Sequence, residues 1–428
     1  ALGMSIAVAN VGYLVFRLTG KKSRWPAVMA AVLLTFTHVV WWLSTTAEVY
    51  TCVAALLTTE LIFFLWLTER PSFIKACFFV MLVGIHWGFH NYALLAIPVY
   101  AAIVLWLIVT KRLSWFILIA APLCFALGAW PYIRSILECA HTLGWWAAIS
   151  SALYGKYGPE VLCVSPRWLG MVKMNAGLFS LNFLNPVWLL FAVGLWQCAS
   201  RKPSLERGCL LAVLTLHGLF FVRYFVADQA LFAVPTITLM AIVAGLGADA
   251  LQRGVLGGRG KVQVALVVLS AVLPVCGYVG ANRVLHSSRF AIANHRKLPF
   301  RDEVRYWVLP WKNNEDSAYL FKESVLAETE PDAIVVADST AAIVLELETY
   351  LNPGKVERRL FFENRAHISV RDDAPLLSDF YRMHSQRPWY TVSPIRGYLA
   401  DFFLDGAFSF QKKGVLYKIN AVPCKKEN

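Results

Sequence analysis

Six ionisable side chains stand in the breaks between long apolar runs: Glu48, His86, His90, Arg134, Arg223 and Asp228. Titratable groups at membrane depth are costly to keep, so each is a functional candidate by default. Glu48 lies in Trp41-Trp-Leu-Ser-Thr-Thr-Ala-Glu-Val-Tyr50, at a helix start beside an aromatic belt. Its carboxylate could bind a cation there, or could simply complement the helix dipole for a few tenths of a kcal/mol. His86 and His90 are four apart and so could share a helix face. That spacing can ligate a metal, but no HExxH accompanies it and two histidines do not complete a site. The competing reading is a pair of interfacial histidines beside Trp87 and Phe89. Glu48 and His86 are thus weak metal candidates, and a divalent cation is the one cofactor left open. Arg134 follows Trp130-Pro-Tyr132. A guanidinium at headgroup level suits a lipid-linked phosphate through bidentate contacts, and equally suits snorkelling to ordinary headgroups. Arg223 and Asp228 flank one break, and pairing with each other is the expectation.

The elements that must position these groups follow from composition. Of 428 residues, 58% are hydrophobic, 14% aromatic and only 16% charged, with mean hydropathy +0.54. Soluble domains carry about 25% charged residues, which excludes one large soluble enzyme; the aliphatic and aromatic content excludes disorder. A bilayer core takes roughly 20 apolar residues per helix. The runs near 1–17, 25–43, 48–67, 73–88, 91–110, 114–133, 177–198, 207–225, 229–251 and 262–282 read as ten spans. Nine cysteines without a CxxC pair imply neither a zinc site nor a disulfide framework.

Charge orients the bundle. Residues 1–282 hold 19 Lys+Arg and 8 Asp+Glu, net +11; the remainder holds 21 and 19, net +2. One alternating set of short loops carries Arg17, Lys21, Lys22 and Arg24, then Arg70 and Lys75, Lys111 and Arg112, Arg201, Lys202 and Arg207, and Arg253, Arg259 and Lys261. The opposite set holds Arg134, Lys156, Arg167 and Lys173 in one long loop, plus Arg223. The positive-inside rule places the first set in the cytoplasm. The 134–176 loop and the C-terminal domain then lie outside. The +13 net charge therefore needs no nucleic acid to explain it. The first span would run from outside to inside, and the chain opens Ala1-Leu-Gly without Met or signal sequence. The expectation is an earlier span and external loop ahead of residue 1.

The 134–176 loop carries Trp145, Trp146, Tyr154, Tyr157 and Trp168 and reads as an interfacial amphipathic segment over an outer cavity. Its Cys139 and Cys163 could form a disulfide in an oxidising compartment or remain thiols. From 283 to 428 helix and strand signals alternate: a helix over Glu315–Thr329 stopped by Pro331, a buried strand Ala333–Ala337, and Asp338 as N-cap for Thr340–Leu351. Further strands are expected at Leu360–Phe362, Trp389–Val392 and Val415–Ile419. The fold class is therefore an α-helical polytopic membrane protein, a bundle over 1–282, with an extracytoplasmic α/β domain over 283–428. Gly254–Gly260 is a basic turn between spans, because no strand–GxGxxG–helix or GxxxxGK[ST] context exists.

Several short stretches resemble the GT-C-type glycosyltransferase-like family long catalogued as a bacterial domain of unknown function, which includes an animal endoplasmic-reticulum protein O-mannosyltransferase. They are Leu18-Thr-Gly20, Ala47-Glu-Val-Tyr-Thr51, Gly84…His90-Asn91, Pro131-Tyr-Ile-Arg134 with Gly144-Trp145, and Tyr224…Asp228…Phe232…Pro235. In the tail, Asp316-Ser-Ala, Pro331-Asp-Ala-Ile and Gly414-Val-Leu-Tyr417 match in style. Ala-Glu-Val-Tyr is the most distinctive word, and the stretches run in one order over nearly the whole chain.

The resemblance implies a polytopic inverting transferase that moves a sugar from a polyprenyl-phosphate carrier to a protein or glycan acceptor on the outer face. It also implies that the catalytic carboxylate sits in a first external loop ahead of this sequence, so no residue here is named as general base. Glu48 would be a second acid facing the cavity, Arg134 would meet the carrier phosphate, and His90, Tyr224 and Asp228 would line the site. One in-line displacement would follow, with a carboxylate deprotonating the acceptor hydroxyl and cations stabilising the departing phosphate. The run Gly-Phe-His-Asn departs from the family's frequent Asn-His pairing. The compartment implied is a bacterial inner membrane rather than the endoplasmic reticulum. The alternative is a catalytically inactive GT-C-derived subunit of a larger membrane complex. A lipid flippase or transporter is a third class, which would show internal repeats and charged mid-span residues, and neither stands out.

Overall fold

Apolar runs flanked by capping residues fold as helices because a backbone in lipid must satisfy its own polar groups. The computed structural model describes the chain except residues 22, 47, 201–203, 227, 258, 288–297, 314, 364–373 and 423–428. Lys22, Ala47, Arg201, Lys202 and Gly258, named above, lie outside the described residues, as does the Lys156 side chain. Two compact units result. The first comprises Ala1–Ser287 with Val308–Lys312, and the second Ser288–Trp307 with Asn313–Asn428.

In the first unit the helices are α1 (Leu2–Leu18), α2 (Trp25–Thr35), α3 (His38–Ser44), α4 (Tyr50–Glu69), α5 (Phe73–Phe89), α6 (Ile97–Val109), α7 (Ile117–Gly128) and α8 (Trp130–Leu143). They continue as α9 (Trp145–Tyr154), α10 (Gly158–Leu162), α11 (Trp168–Asn182), α12 (Leu189–Ser200), α13 (Leu205–Arg223), α14 (Gln229–Leu251) and α15 (Gly260–Ser287). The side chains of Ser72 and Ser204 cap α5 and α13 by accepting the Lys75 and Arg207 N–H groups.

Helices cover all ten expected runs, but three runs are bent rather than straight. Among the described residues, four helices are long and apolar enough to cross a bilayer alone, and up to seven spans result if each bent pair counts once. Helices α1, α5 and α6 are apolar but shorter. The pairs α2–α3, α7–α8 and α11–α12 bend by 70°, 77° and 107°. Local chemistry explains the breaks: Thr37 is extended before α3, Pro131 opens α8, and Asn185-Pro186 interrupts the third pair. The run expected from 177 therefore begins earlier, at Trp168, and turns back on itself.

Helix α14 is the buried spine of this unit, with Phe232 through Asp249 mostly inaccessible. Small residues allow its neighbours close. A Cβ on Gly194 would overlap the Val243 carbonyl, and one on Gly247 would overlap that of Leu190, so α12 and α14 touch backbone to backbone. Gly84 and Gly128 do the same between α5 and α7. Residues 308–312 return to α3: Thr45 donates to the Pro310 carbonyl at 3.3 Å, and Trp311 packs on Trp41.

The second unit is a small α/β domain. Its helices are α16 (Glu303–Val308, its last residue in the first unit), α17 (Ser317–Glu328), α18 (Ser339–Leu351), α19 (Pro353–Val356), α20 (Ala374–Met383) and α21 (Asp401–Leu404). Strands β1 (Ile334–Ala337), β2 (Leu360–Glu363), β3 (Trp389–Thr391), β4 (Phe408–Lys413) and β5 (Leu416–Ala421) form one sheet in the order β2-β1-β3-β5-β4. β1 runs parallel to β2 and β3, while β5 is antiparallel to β3 and β4. Alternation splits β1 between two cores: Val335 and Ala337 meet α17 and α18, whereas Ile334 and Val336 meet Leu377 and Phe403. Asp338 caps α18 as expected, accepting the Ala341 N–H. Strand β4, with its exposed and polar positions, is an element the sequence reading did not anticipate.

Candidate functional site

Three separate breaks in the helical chain meet at one place in the first unit: the α3–α4 turn with Glu48, the end of α5 with His90, and the α13–α14 break, which carries both Tyr224 and Asp228. Aromatic packing fixes their convergence. Tyr50 lies 5.1 Å from His90 and 5.1 Å from Phe232, ring to ring, and Tyr224 lies 4.7 Å from Phe232. Phe232, one helical turn into α14, is therefore the floor on which the Tyr50, His90 and Tyr224 rings gather. Tyr92, 3% exposed, donates its hydroxyl to the Phe232 carbonyl at 2.8 Å and closes the floor from the α5 side.

Helix α5 stops at His90 because that residue turns extended, at φ −165° and ψ 140°, and its side chain caps the short turn Asn91–Leu95. Its Nδ1 accepts the Tyr92 N–H at 3.1 Å. A backbone N–H can only donate, so Nδ1 carries the lone pair and the neutral ring bears its proton on Nε2. His90 is thus a fixed hydrogen-bond donor at the site. Asn91 does the complementary work of tethering. It accepts from Trp87 Nε1 at 2.9 Å and donates to the Ala152 and Leu153 carbonyls of α9.

Glu48 and Asp228 are exposed carboxylates that feel each other. Desolvation, and then the Asp228 charge, raise the Glu48 carboxyl above its ordinary range. A carboxyl raised in this way holds a proton more readily than an isolated one, as a group that takes up an acceptor proton must. The same two oxygen ligands could share a cation, but no group of three His, Cys, Asp or Glu side chains gathers for a metal among the described residues.

The structure brings together Glu48, His90, Tyr224 and Asp228; two arginines go elsewhere. Arg134 sits on the amphipathic helix α8, exposed, and pairs with Glu138 one turn on at 2.8 Å. Arg223 does not pair with Asp228. It donates to the Val161 and Cys163 carbonyls at 2.6 and 3.3 Å, because the α10 end of the long loop folds against α13 and leaves two carbonyls to satisfy. Cys139 and Cys163 are free thiols. Trp145 and Trp146 stand exposed on α9.

His86 is not interfacial. It is fully buried, and its Nδ1 faces Glu60 Oε1 at 2.8 Å, while Tyr100 donates its hydroxyl to Glu60 Oε2 at 3.2 Å. Glu60 is a carboxylate in the middle of α4 with no exposed surface, so a charged residue does occupy a span interior. The reading of the sequence passed it over, although one acid inside the apolar run of α4 and one histidine inside that of α5 were both visible. His217 of α13 is likewise fully buried, 5.2 Å from Tyr92 ring to ring, with Nδ1 at 2.9 Å from the Val213 carbonyl.

An apolar groove of about 610 Å³ runs between α1 and α2–α3, lined by Met4, Val8, Val28, Phe36, Val40 and Trp41 among others. It reaches Ser44, at the end of α3, just before the turn that holds Glu48.

Comparisons with known proteins bear on this arrangement. Residues 16–114 match the model of the protein O-mannosyl-transferase TMEM260 N-terminal domain. No curated protein matches the chain. Among solved structures, the crystal structure of ArnT from Cupriavidus metallidurans bound to undecaprenyl phosphate is similar, with a TM-score of 0.56 at 12% identity, over 99% of this chain and 83% of that one. At that identity the likeness is one of fold.

Proposed function

We propose that this chain, a GT-C-like polytopic membrane protein, is a glycosyltransferase that takes a sugar from a polyprenyl-phosphate carrier and passes it to a hydroxyl acceptor. The observation that carries the reading is the convergence at Phe232. The breaks that meet there are those that the distribution of basic loops places opposite the cytoplasm. Transfer would thus occur at the periplasmic or lumenal face. The similar ArnT structure holds undecaprenyl phosphate, and the groove beside α3 here is apolar enough for an isoprenoid chain whose phosphate would lie near the Glu48 turn.

In this reading a carboxylate on the outer face takes the acceptor proton as the hydroxyl oxygen attacks the anomeric carbon in line with the departing phosphate, and the Glu48–Asp228 pair is the second acidic group facing the same cavity. The Nε2–H of His90 and the hydroxyl of Tyr224 donate to oxygens of the sugar or the leaving phosphate. Arg134 belongs to the proposal as a mobile phosphate ligand that would exchange its exposed pairing with Glu138 for the carrier. The test is transfer from mannosyl-phosphoryl undecaprenol to a serine- or threonine-containing acceptor peptide by the purified chain. Glu48→Gln and Arg134→Ala are each expected to lose at least about tenfold in turnover. Undiminished turnover in both variants would overturn the site assignment.

A further inference from the structure

Glu60 is costly to bury, and nothing in the proposed transfer uses it directly. Its two oxygens serve different helices. Oε1 holds His86 on α5 at 2.8 Å, and Oε2 accepts from Tyr100 on α6 at 3.2 Å. Between those two anchors runs the connector that carries His90, Asn91 and Tyr92, and among the described residues no other buried carboxylate bonds to both its flanks. His86 lies one turn before His90, and its carbonyl accepts the His90 N–H at 3.1 Å. The residue held through its side chain by Glu60 thus holds the backbone of His90 in turn. On the far side, Tyr100 is packed 6.2 Å from Phe64 and 4.9 Å from Phe79, ring to ring, so its hydroxyl is delivered to Glu60 by rigid aromatic neighbours.

We propose that Glu60 is a positioning residue: it fastens both flanks of the connector, and so fixes His90 as a neutral Nε2–H donor toward the substrate's phosphate or sugar oxygens. The inference rests on the transferase reading for what His90 does, but not for the clamp itself. A carboxylate suits this place better than an amide. Both of its oxygens accept, whereas a glutamine offers one acceptor and one donor and could serve His86 and the Tyr100 hydroxyl together only with its amide in one orientation and the His86 Nδ1 as acceptor. The other polar groups around the clamp are Cys209 and His217 of α13; His217 turns its Nδ1 to the Val213 carbonyl instead, so the two arms carry the fastening.

Two measurements on the purified protein test this. Hydrogen exchange reads the clamp without any substrate: Tyr100→Phe and Glu60→Gln should each speed amide exchange over residues 90–96 about tenfold, and leave α14 unchanged. Tyr100→Phe keeps the ring and the Glu60–His86 bond, so it remains informative if Glu60→Gln folds poorly. Turnover from the polyprenyl-phosphate sugar reads positioning. Each variant should lower kcat about tenfold with little change in KM, and in a His90→Ala background the same changes should cost nothing further. Unchanged exchange over 90–96, or a rise spread evenly over the bundle, would overturn the clamp. Full additivity with His90→Ala would reduce Glu60 to a structural bolt. A wild-type chain that transfers nothing, while Tyr100→Phe still loosens 90–96, would remove the transferase reading and leave the clamp standing.

Discussion

Tyr92 and Tyr100 lose the same atom on replacement by phenylalanine, yet the two losses should differ severalfold. Both side chains are buried and both hydroxyls donate one hydrogen bond. In Tyr92→Phe the ring contacts with His217, Phe220 and Phe232 remain and no cavity opens. The abandoned acceptor is the Phe232 carbonyl, a group inside α14 whose helix already supplies an N–H from the following turn. The cost is then one interhelical hydrogen bond in a bilayer-like medium, about 0.6 kcal/mol. In Tyr100→Phe the abandoned acceptor is a carboxylate oxygen of Glu60, which has no exposed surface. A buried acceptor left unsatisfied costs about 1–3 kcal/mol, because the orphaned oxygen cannot turn to water. The expected difference is therefore about 1–2 kcal/mol, with Tyr100→Phe the more destabilising. Denaturant unfolding of both variants in bicelles measures it. Equal losses, or a larger loss for Tyr92→Phe, would refute the view that Glu60 is a satisfied buried carboxylate.

The other expectations concern ionisation and packing. Because Glu48 is held above its ordinary 4.5, turnover should fall on acidification through a pKa higher than that. Asp228→Asn removes one of the two causes, so the acid limb should move to lower pH; a limb that stays put would separate the two carboxylates. In the second unit, desolvation of Glu330 is outweighed by the Tyr390 hydroxyl and by Lys413 and Lys418, and its carboxyl titrates at about 2. The stability it contributes should be complete above the usual carboxylate range and lost as pH falls toward 2; carbon-detected NMR titration of Glu330 with a midpoint near 4.5 would contradict the geometry. Gly247→Ala should destabilise by about 1–3 kcal/mol through backbone overlap with Leu190, whereas Gly177→Ala on α11, with open space around it, should be neutral or stabilising. Equal unfolding midpoints for those two variants would show that α12 and α14 can separate at no cost.

Much of the architecture was legible because membrane helices announce themselves. The apolar runs and Asp338 ahead of α18 depend on local chemistry, and each matched an element. What stayed hidden has a physical reason in each case. The bends at Thr37, Pro131 and Asn185 leave the hydropathy of their runs unbroken, so a window average passes across them. Strand β4 pairs only with β5 at the sheet edge, and its exposed pattern carries no buried periodicity. The expected Arg223–Asp228 pair failed because nearness along the chain does not set direction; the loop carbonyls at Val161 and Cys163 lay closer to the guanidinium.

The sequence by itself determined that this is a polytopic membrane protein with a small α/β domain after it, which ends of the apolar runs are basic, and that Glu48, His90 and Asp228 stand in the breaks, though not that His86 is buried within α5. Hydrophobicity and charge are properties of residues and survive without coordinates. Only the tertiary structure decided which of those groups meet. Glu48, His90, Tyr224 and Asp228 come from three breaks spread over some 180 positions and are joined by the rings of Tyr50 and Phe232. Glu60 and His86, 26 positions apart, form a buried bond that neither residue's neighbours in sequence foretell. A polar side chain in lipid is tolerable only when a partner on another helix satisfies it, and that partner is chosen by packing.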